Sequence, residues 1–268
     1  MYTRILVTVD GSGFSEQLIG PAFEVAQATE TELALLRVVD RADDQAAATA
    51  YVQALAAPHQ AQALCVLAGA AGVAAAIGAE AHRVPGTLVA MCSHGHSGIA
   101  KAVFGGVALQ VLRELGEPLV MFRPQLGGPA APSRIEHVVL PLDGSELSET
   151  IIAPAAELAK WLGAKLIVVS VITPPAHSDP LVASGDVQES NYVRARARDI
   201  TDRYGAATGW EVLHGDPKHA IPEFVRSLGH AMLAMTTHGR TGLRGVLTGS
   251  VTAQCLRDAG VPVLTRLP

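Results

Sequence analysis

Residues 5–16 read ILVTVDGSGFSE, and residues 138–149 read VVLPLDGSELSE. Each is a short β-branched apolar run that stops at Asp-Gly-Ser and passes into a helix-forming segment, so each predicts strand, tight turn, helix. Two further pairs follow in the same order: SHGHSGIAKAVFGG (93–106) against THGRTGLRGVLTGS (237–250), and GEPLVMFRP (116–124) against GVPVLTRLP (260–268). The displacement is 133 residues from Asp10 to Asp143 but 144 from Gly95 to Gly239, from Gly105 to Gly249 and from Pro118 to Pro262, so the second copy carries 11 additional residues in its middle. They fall in ITPPAHSDPLVASGDVQESNYVRARARD (172–199), a polar stretch rich in turn formers that is expected to be a loop leading into a helix.

Around these anchors, apolar β-branched runs alternate with longer Ala/Leu/Glu patterns, the signature of βαβ units and a parallel sheet. Strands are predicted at 5–9, 33–38, 62–67, 87–91 and 119–122 in the first copy, and at 137–142, 165–171, 211–214, 231–235 and 263–266 in the second. The helix after the first strand of copy two places Ile151, Ile152, Ala155, Leu158, Ala159 and Leu162 on one face, with Ser148 as its expected N-cap. The Gly- and Pro-rich connector QLGGPAAPS (125–133) separates the copies near Ala130 and predicts domains at 1–126 and 133–268.

A length of 268 residues, 49% apolar and 17% charged, suits two such cores and excludes a disordered chain. A net charge of -5 argues against nucleic acid as a partner, since that needs clustered Lys and Arg. No apolar stretch reaches the roughly 18 to 20 residues of a bilayer span. The N-terminus MYTRILVTVD does not have the regions of a signal peptide, so a cytoplasmic location is expected. The abundance of Ala and of Arg over Lys hints at a bacterial, GC-rich source. Cys65, Cys92 and Cys255 form no metal-ligand or Cys-x-x-Cys spacing and read as buried thiols.

Open parallel sheets bind ligands beyond the carboxyl ends of their strands, where the Asp-Gly-Ser turns and the glycine segments both belong. Glycine-rich backbone ahead of a helix N-terminus can approach an anion closely and present amide N–H groups to it, and Gly249-Ser250 precedes a helix expected to start near Val251. Glycine also simply permits turns. His94 and His238 recur in these segments, but no nucleophile or partnering carboxylate accompanies them, so no catalytic residue is assigned. Arg240 and Arg244, and the Arg194, Arg196, Arg198 series, read as solvated charges. A Gly-x4-Gly-Lys-Ser/Thr loop is absent, and neither glycine segment has a lysine placed as in that loop to reach terminal phosphates.

The run Thr236-Thr237-His238-Gly239, then nine residues to Gly249-Ser250, together with Pro141-x-Asp143-Gly-Ser, resembles the nucleotide motif of the universal stress protein family, Gly-x2-Gly-x9-Gly-Ser/Thr. The resemblance covers nearly the whole chain twice. It implies two α/β, Rossmann-like domains, each a five-stranded parallel sheet with helices on both faces, and an ATP site, with or without magnesium, between the ends of strands one and four. In copy two it implies Asp143 for the ribose hydroxyls or a metal, the Val171 backbone for the adenine edge, Pro141 and Met235 as adenine walls, and Gly239, Gly249, Ser250, Val251 and Thr252 for the phosphates. Thr236 stands where the motif has its first Gly. Copy one keeps Asp10, Val38, Gly95 and Gly105, but has Thr8 for the Pro, Cys92 for the first Gly and Gly106 for the Ser/Thr, which implies a weaker site. The expected function is that of a nucleotide-binding stress or dormancy regulator with at most slow hydrolysis, self-associating through strand five within the chain or as a homodimer. A tandem interaction scaffold with empty sites is the alternative, and an adenylyl-transfer or hydrolase enzyme a third reading that finds no positioned acid or base.

Overall fold

The computed structural model describes residues 1–93, 105–124, 131–173, 182–237 and 249–267. The chain divides into two compact units, Met1–Arg134 and Ile135–Pro268. Most of the expected connector, residues 125–130, lies outside the described residues.

Unit 1 runs β1 (Arg4–Val9), α1 (Gly13–Glu16), α2 (Ile19–Ala28), β2 (Glu32–Val39), α3 (Gln45–Ala56), β3 (Gln62–Leu67), α4 (Gly72–His82), β4 (Thr87–Cys92), α5 (Gly106–Leu115), β5 (Leu119–Phe122). Unit 2 repeats it as β6 (His137–Pro141), α6 (Glu146–Glu149), α7 (Ile152–Leu162), β7 (Lys165–Ile172), α8 (Val182–Tyr204), β8 (Thr208–His214), α9 (Pro217–Leu228), β9 (Ala231–Thr236), α10 (Ser250–Asp258), β10 (Val263–Arg266). The strand orders are β3-β2-β1-β4-β5 and β8-β7-β6-β9-β10, with parallel pairing throughout each unit. Right-handed crossovers place the helices that precede and follow the jump from β3 to β4 on opposite faces of the sheet. The fold is therefore the expected α/β architecture, and its order reverses between β1 and β4, and again between β6 and β9. That reversal opens a crevice beyond the strands' carboxyl ends.

Central strands are buried on both faces, so they read as continuous apolar runs: Leu6, Val7, Val138, Val139 and Leu140 have no exposed surface. Strands β3 and β8 are half exposed, and β8 begins at Thr208 rather than at the expected Glu211. Thr208, Gly209 and Trp210 pair with Leu166, Ile167 and Val168. The ladder recruits them although they break the apolar pattern, because the backbone supplies the bonds and only one face needs apolar side chains.

One other expectation changes. Ser148 is not the cap of the long helix: Ser145 caps α6 by accepting from the Ser148 amide, and α7 starts later, at Ile152, without a side-chain cap. The face assigned to α7 does pack inward, with Ile151, Ala155, Leu158 and Ala159 buried and Ile152 and Leu162 half-buried. Residues 172–199 lead into a helix, as expected. Of this stretch, 174–181 lie outside the described residues, and from Val182 the chain is helical to Tyr204. The 23 residues of α8 exceed the 12 of α3 by the 11 that the repeat offset required. Val193, Ala197 and Ile200, at helical spacing, are buried and hold α8 on β7 and β8, which overrides the polar composition of the stretch.

Candidate functional site

Each crevice is bounded on one side by the Asp-Gly-Ser turn, whose shape is locally determined. The Asp143 Oδ1 accepts from the Ser145 amide (3.0 Å) and the Ser145 hydroxyl (2.6 Å), and the Ser145 Oγ in turn accepts from the Ser148 amide (3.2 Å). Gly144 sits at φ 77°, in the left-handed region that favours glycine. Unit 1 repeats every element: Asp10 Oδ1 accepts from the Ser12 amide at 3.0 Å and its hydroxyl at 2.5 Å, and Gly11 has φ 85°. The turn therefore holds one oxygen of each half-buried Asp carboxylate and aims the group across the strand end.

The opposite boundary is the start of α10 (α5 in unit 1). Gly249 occupies the N-cap position in extended geometry with no side chain capping the helix, and its amide donates to the Thr237 carbonyl at 2.5 Å. Gly105 does the same toward Ser93 O at 2.6 Å, and a Cβ there would stand 3.0 Å from that oxygen, a tight approach that favours glycine. Uncapped first-turn amides carry the positive end of the helix dipole, an anion-binding arrangement.

In unit 2 these boundaries enclose a cavity of about 340 Å³. Pro141, Asp143, Val171 and Met235 line it together with the consecutive Gly249, Ser250, Val251 and Thr252. Gly239 lies outside the described residues, as do His238, Arg240 and Arg244. Ser250 is exposed at the helix start, whereas Thr252 is buried and its hydroxyl donates to the Thr236 carbonyl (2.8 Å). Thr252 thus braces the end of β9 to α10, and its hydroxyl hydrogen is engaged there instead of being offered to a phosphate. Beyond the last β6 pair, Pro141 with Val169, β7 continues to Ile172, which brings Ser170 and Val171 to the cavity wall.

The unit 1 cavity, about 380 Å³, takes in Asp10, Val38 and Gly105, while Gly95 and His94 fall outside the described residues. It differs in kind: Arg37 and Asp40 line it from the end of β2, and Cys92 and Gly106 stand where unit 2 has Thr236 and Ser250. Cys92 is buried and its thiol donates to the Phe14 carbonyl at 3.2 Å.

Sequence reading missed the remaining wall of the unit 2 cavity: Ser170, Glu189 from α8, and Pro217, Lys218 and Ile221 from α9. It also missed a clasp that repeats in both units. The Tyr51 hydroxyl donates to Glu16 (2.8 Å), and the Tyr192 hydroxyl to Glu149 (2.9 Å), tying the short helix after each Asp-Gly-Ser turn to α3 or α8. In unit 2, Arg196 Nε also donates to Glu149 at 2.9 Å, and its guanidinium lies 5.6 Å from the Tyr192 ring centroid, so Arg196 is not the solvated charge expected. The two tyrosines were the available signal, because Tyr51 and Tyr192 align α3 with α8 across the insertion.

Burial pushes the Cys92 and Cys255 thiols from their ordinary 9.0 up to about 12, with Asp10 and Asp258 adding to the respective shifts. Burial and Glu149 raise Tyr192 from 10.0 to about 12, against an opposing effect of Arg196. These groups are neutral when protonated, so between about pH 9 and 12 the native chain retains protons that the unfolded chain has released. Stability should therefore be unaffected by these groups below that window and fall across it. Urea midpoints measured from pH 8 to 12 check this, and a flat profile over that range would contradict the burial of all three.

Among the described residues no three His, Cys, Asp or Glu side chains are grouped to hold a metal ion, and no helix is long and apolar enough to cross a membrane. The model of the Universal stress protein family matches residues 1–87 and 134–265. A universal stress protein of Methanocaldococcus jannaschii is 28% identical over 136 residues, covering 48% of this chain and 80% of that protein. One from Mycobacterium tuberculosis is 27% identical over 187 residues, which is 66% of this chain but only 60% of the relative's length. Among solved structures, a universal stress protein from Archaeoglobus fulgidus superimposes with a TM-score of 0.66 at 16% identity, covering 98% of both chains, a likeness of fold.

Proposed function

Since the chain belongs to the universal stress protein family, we propose that unit 2 binds an adenine nucleotide, ATP foremost, and that its occupancy is the signal by which the protein takes part in a stress response. The observation that carries this reading is the meeting of two features in one cavity: the uncapped N-terminus of α10, and an apolar slot walled by Pro141, Met235 and Ile221. A base is flat and apolar on its faces, a polyphosphate is anionic, and few other ligands need both. A volume of about 340 Å³ is within the range of small-molecule sites. Gly249 lets the backbone come close to a phosphate, Ser250 offers a hydroxyl at the helix start, and Asp143 is placed to accept from ribose hydroxyls or to share a magnesium ion with the phosphates.

Unit 1 is the weaker site in this reading. Gly106 removes the hydroxyl donor that Ser250 supplies, and a hydrogen bond to a charged acceptor is worth about 1.5 to 3 kcal/mol, or ten- to a hundredfold in affinity. The function is regulation through binding, with any hydrolysis slow.

Freshly purified protein, denatured and analysed by chromatography, is expected to release adenine nucleotide in a fixed ratio to chain, and stripped protein to rebind ATP with magnesium. Absence of released nucleotide, combined with no binding on adding ATP and magnesium, would overturn the reading and leave an interaction scaffold in its place.

A further inference from the structure

On the wall of the unit 2 cavity, next to Val171, sits a polar pair that neither the turn nor the helix terminus uses. Ser170 is 4% exposed, and its hydroxyl donates to Glu189 Oε2 at 2.9 Å. Both residues line the cavity. The bond joins the end of β7 to α8 and holds the half-buried Glu189 carboxylate beside the stretch of β7 that has outrun β6. An ionised carboxylate has about four acceptor positions and no donor. Ser170 fills one and directs its own hydrogen into the pair, so this part of the wall offers acceptors to a ligand. Lys218 lines the same cavity from α9, and among the described residues its ammonium makes no ion pair with Glu189 that would cancel this polarity.

We infer that Glu189 is a specificity-determining residue that selects a purine bearing a 6-amino group over one bearing a 6-oxo group. The inference rests on the nucleotide reading of this cavity. A 6-amino group brings two N–H donors to an acceptor wall. A 6-oxo group brings lone pairs against a carboxylate, so two acceptors face each other at the 6-position in a partly desolvated place, and the single ring N1–H replaces only one of the two donors of the amino group.

Unit 1 supplies an internal contrast. Aligning the two clasps through Tyr51 and Tyr192 places Ala48 where Glu189 stands, and the strand alignment places Arg37 where Ser170 stands. The acceptor pair is gone there, and a guanidinium, which only donates, lines the cavity.

ATP and inosine triphosphate differ only in the group at the purine 6-position and the ring proton that goes with it, so their affinity ratio reads this contact with the phosphates held constant. The full chain is expected to favour ATP by about ten- to a hundredfold. Glu189→Gln, whose amide supplies a donor as well as an acceptor, should bring the ratio close to parity mainly by strengthening inosine triphosphate, and Ser170→Ala, which releases the carboxylate, should lower it part of the way. The ratio of ATP to ADP affinity should stay unchanged in both, and unchanged melting temperatures confirm folding. Because both substitutions lie in unit 2, the difference from the parent reports that unit. A parent without preference, or variants that keep the parent ratio, would overturn the role of Glu189 while leaving nucleotide binding intact. Failure of the parent to bind either triphosphate would overturn both readings together.

Discussion

Glu80→Ala is expected to destabilise unit 1 by about 3 to 5 kcal/mol, a large share of the 5 to 15 kcal/mol typical of a domain. Arg4, the first residue of β1, is 1% exposed and Glu80 on α4 is 5% exposed. The Arg4 Nη1 meets the Glu80 carboxylate at 3.1 Å, its Nη2 donates to the Glu80 carbonyl at 2.7 Å, and its Nε donates to Thr87 Oγ1 at 3.0 Å. Arg83, on the surface side, reaches the other carboxylate oxygen at 3.0 Å. Removing the carboxylate leaves a guanidinium buried with no counter-charge, and that, more than the lost attraction, is the source of the cost. The double replacement Arg4→Met with Glu80→Leu should therefore be far less damaging than Glu80→Ala alone. Urea denaturation of the three proteins makes the comparison. Unit 2 has His137 at the position of Arg4, so the loss should appear as earlier unfolding of one unit with the other unmoved. A loss under about 1 kcal/mol would mean that water reaches the guanidinium once Glu80 is gone.

How much of this was legible beforehand depends on whether a feature is local in sequence. The Asp-Gly-Ser turn is wholly local: a carboxylate folding back on a serine two residues on, a glycine with positive φ between them, and a helix start. Its double appearance carried the fold and half of the site. Gly105 and Gly249 were equally readable, because a strand end must approach a helix start closely at that point. The third wall was not readable, since Glu189 sits in the part of the chain where the repeat alignment breaks, and Ser170 is an ordinary strand residue until α8 is laid against it. Arg196 and Thr252 illustrate the same limit. Arg196 is drawn in by Glu149, 47 residues away, and the Thr252 hydroxyl by a strand-end carbonyl, 16 residues away. The chemistry of each side chain was plain, and its partner was set by tertiary packing.

Ser250→Asp is the substitution expected to affect ligand binding most while leaving the fold alone. Ser250 is exposed at the first position of α10, so a carboxylate has room there. An acidic residue in the first turn also suits the helix dipole, by about 0.3 to 1 kcal/mol, so thermal stability should hold or rise slightly. For a polyphosphate the same charge is repulsive. Two like charges about 4 Å apart cost about 1 kcal/mol in bulk water and about 4 kcal/mol at the effective dielectric of a protein surface. Added to the about 1.5 to 3 kcal/mol of the lost hydroxyl donor, this corresponds to a fall in ATP affinity of at least about fiftyfold and up to about 10^5-fold. Titration of ATP at low and high salt should show the defect shrinking as salt screens the new charge, whereas adenosine, which has no phosphate, should bind parent and variant alike. A stable variant that binds ATP as the parent does would place the phosphates away from α10. The anion-binding character of that helix start would then have another use, and the uncapped N-terminus would no longer support a phosphate site there, with the fold untouched.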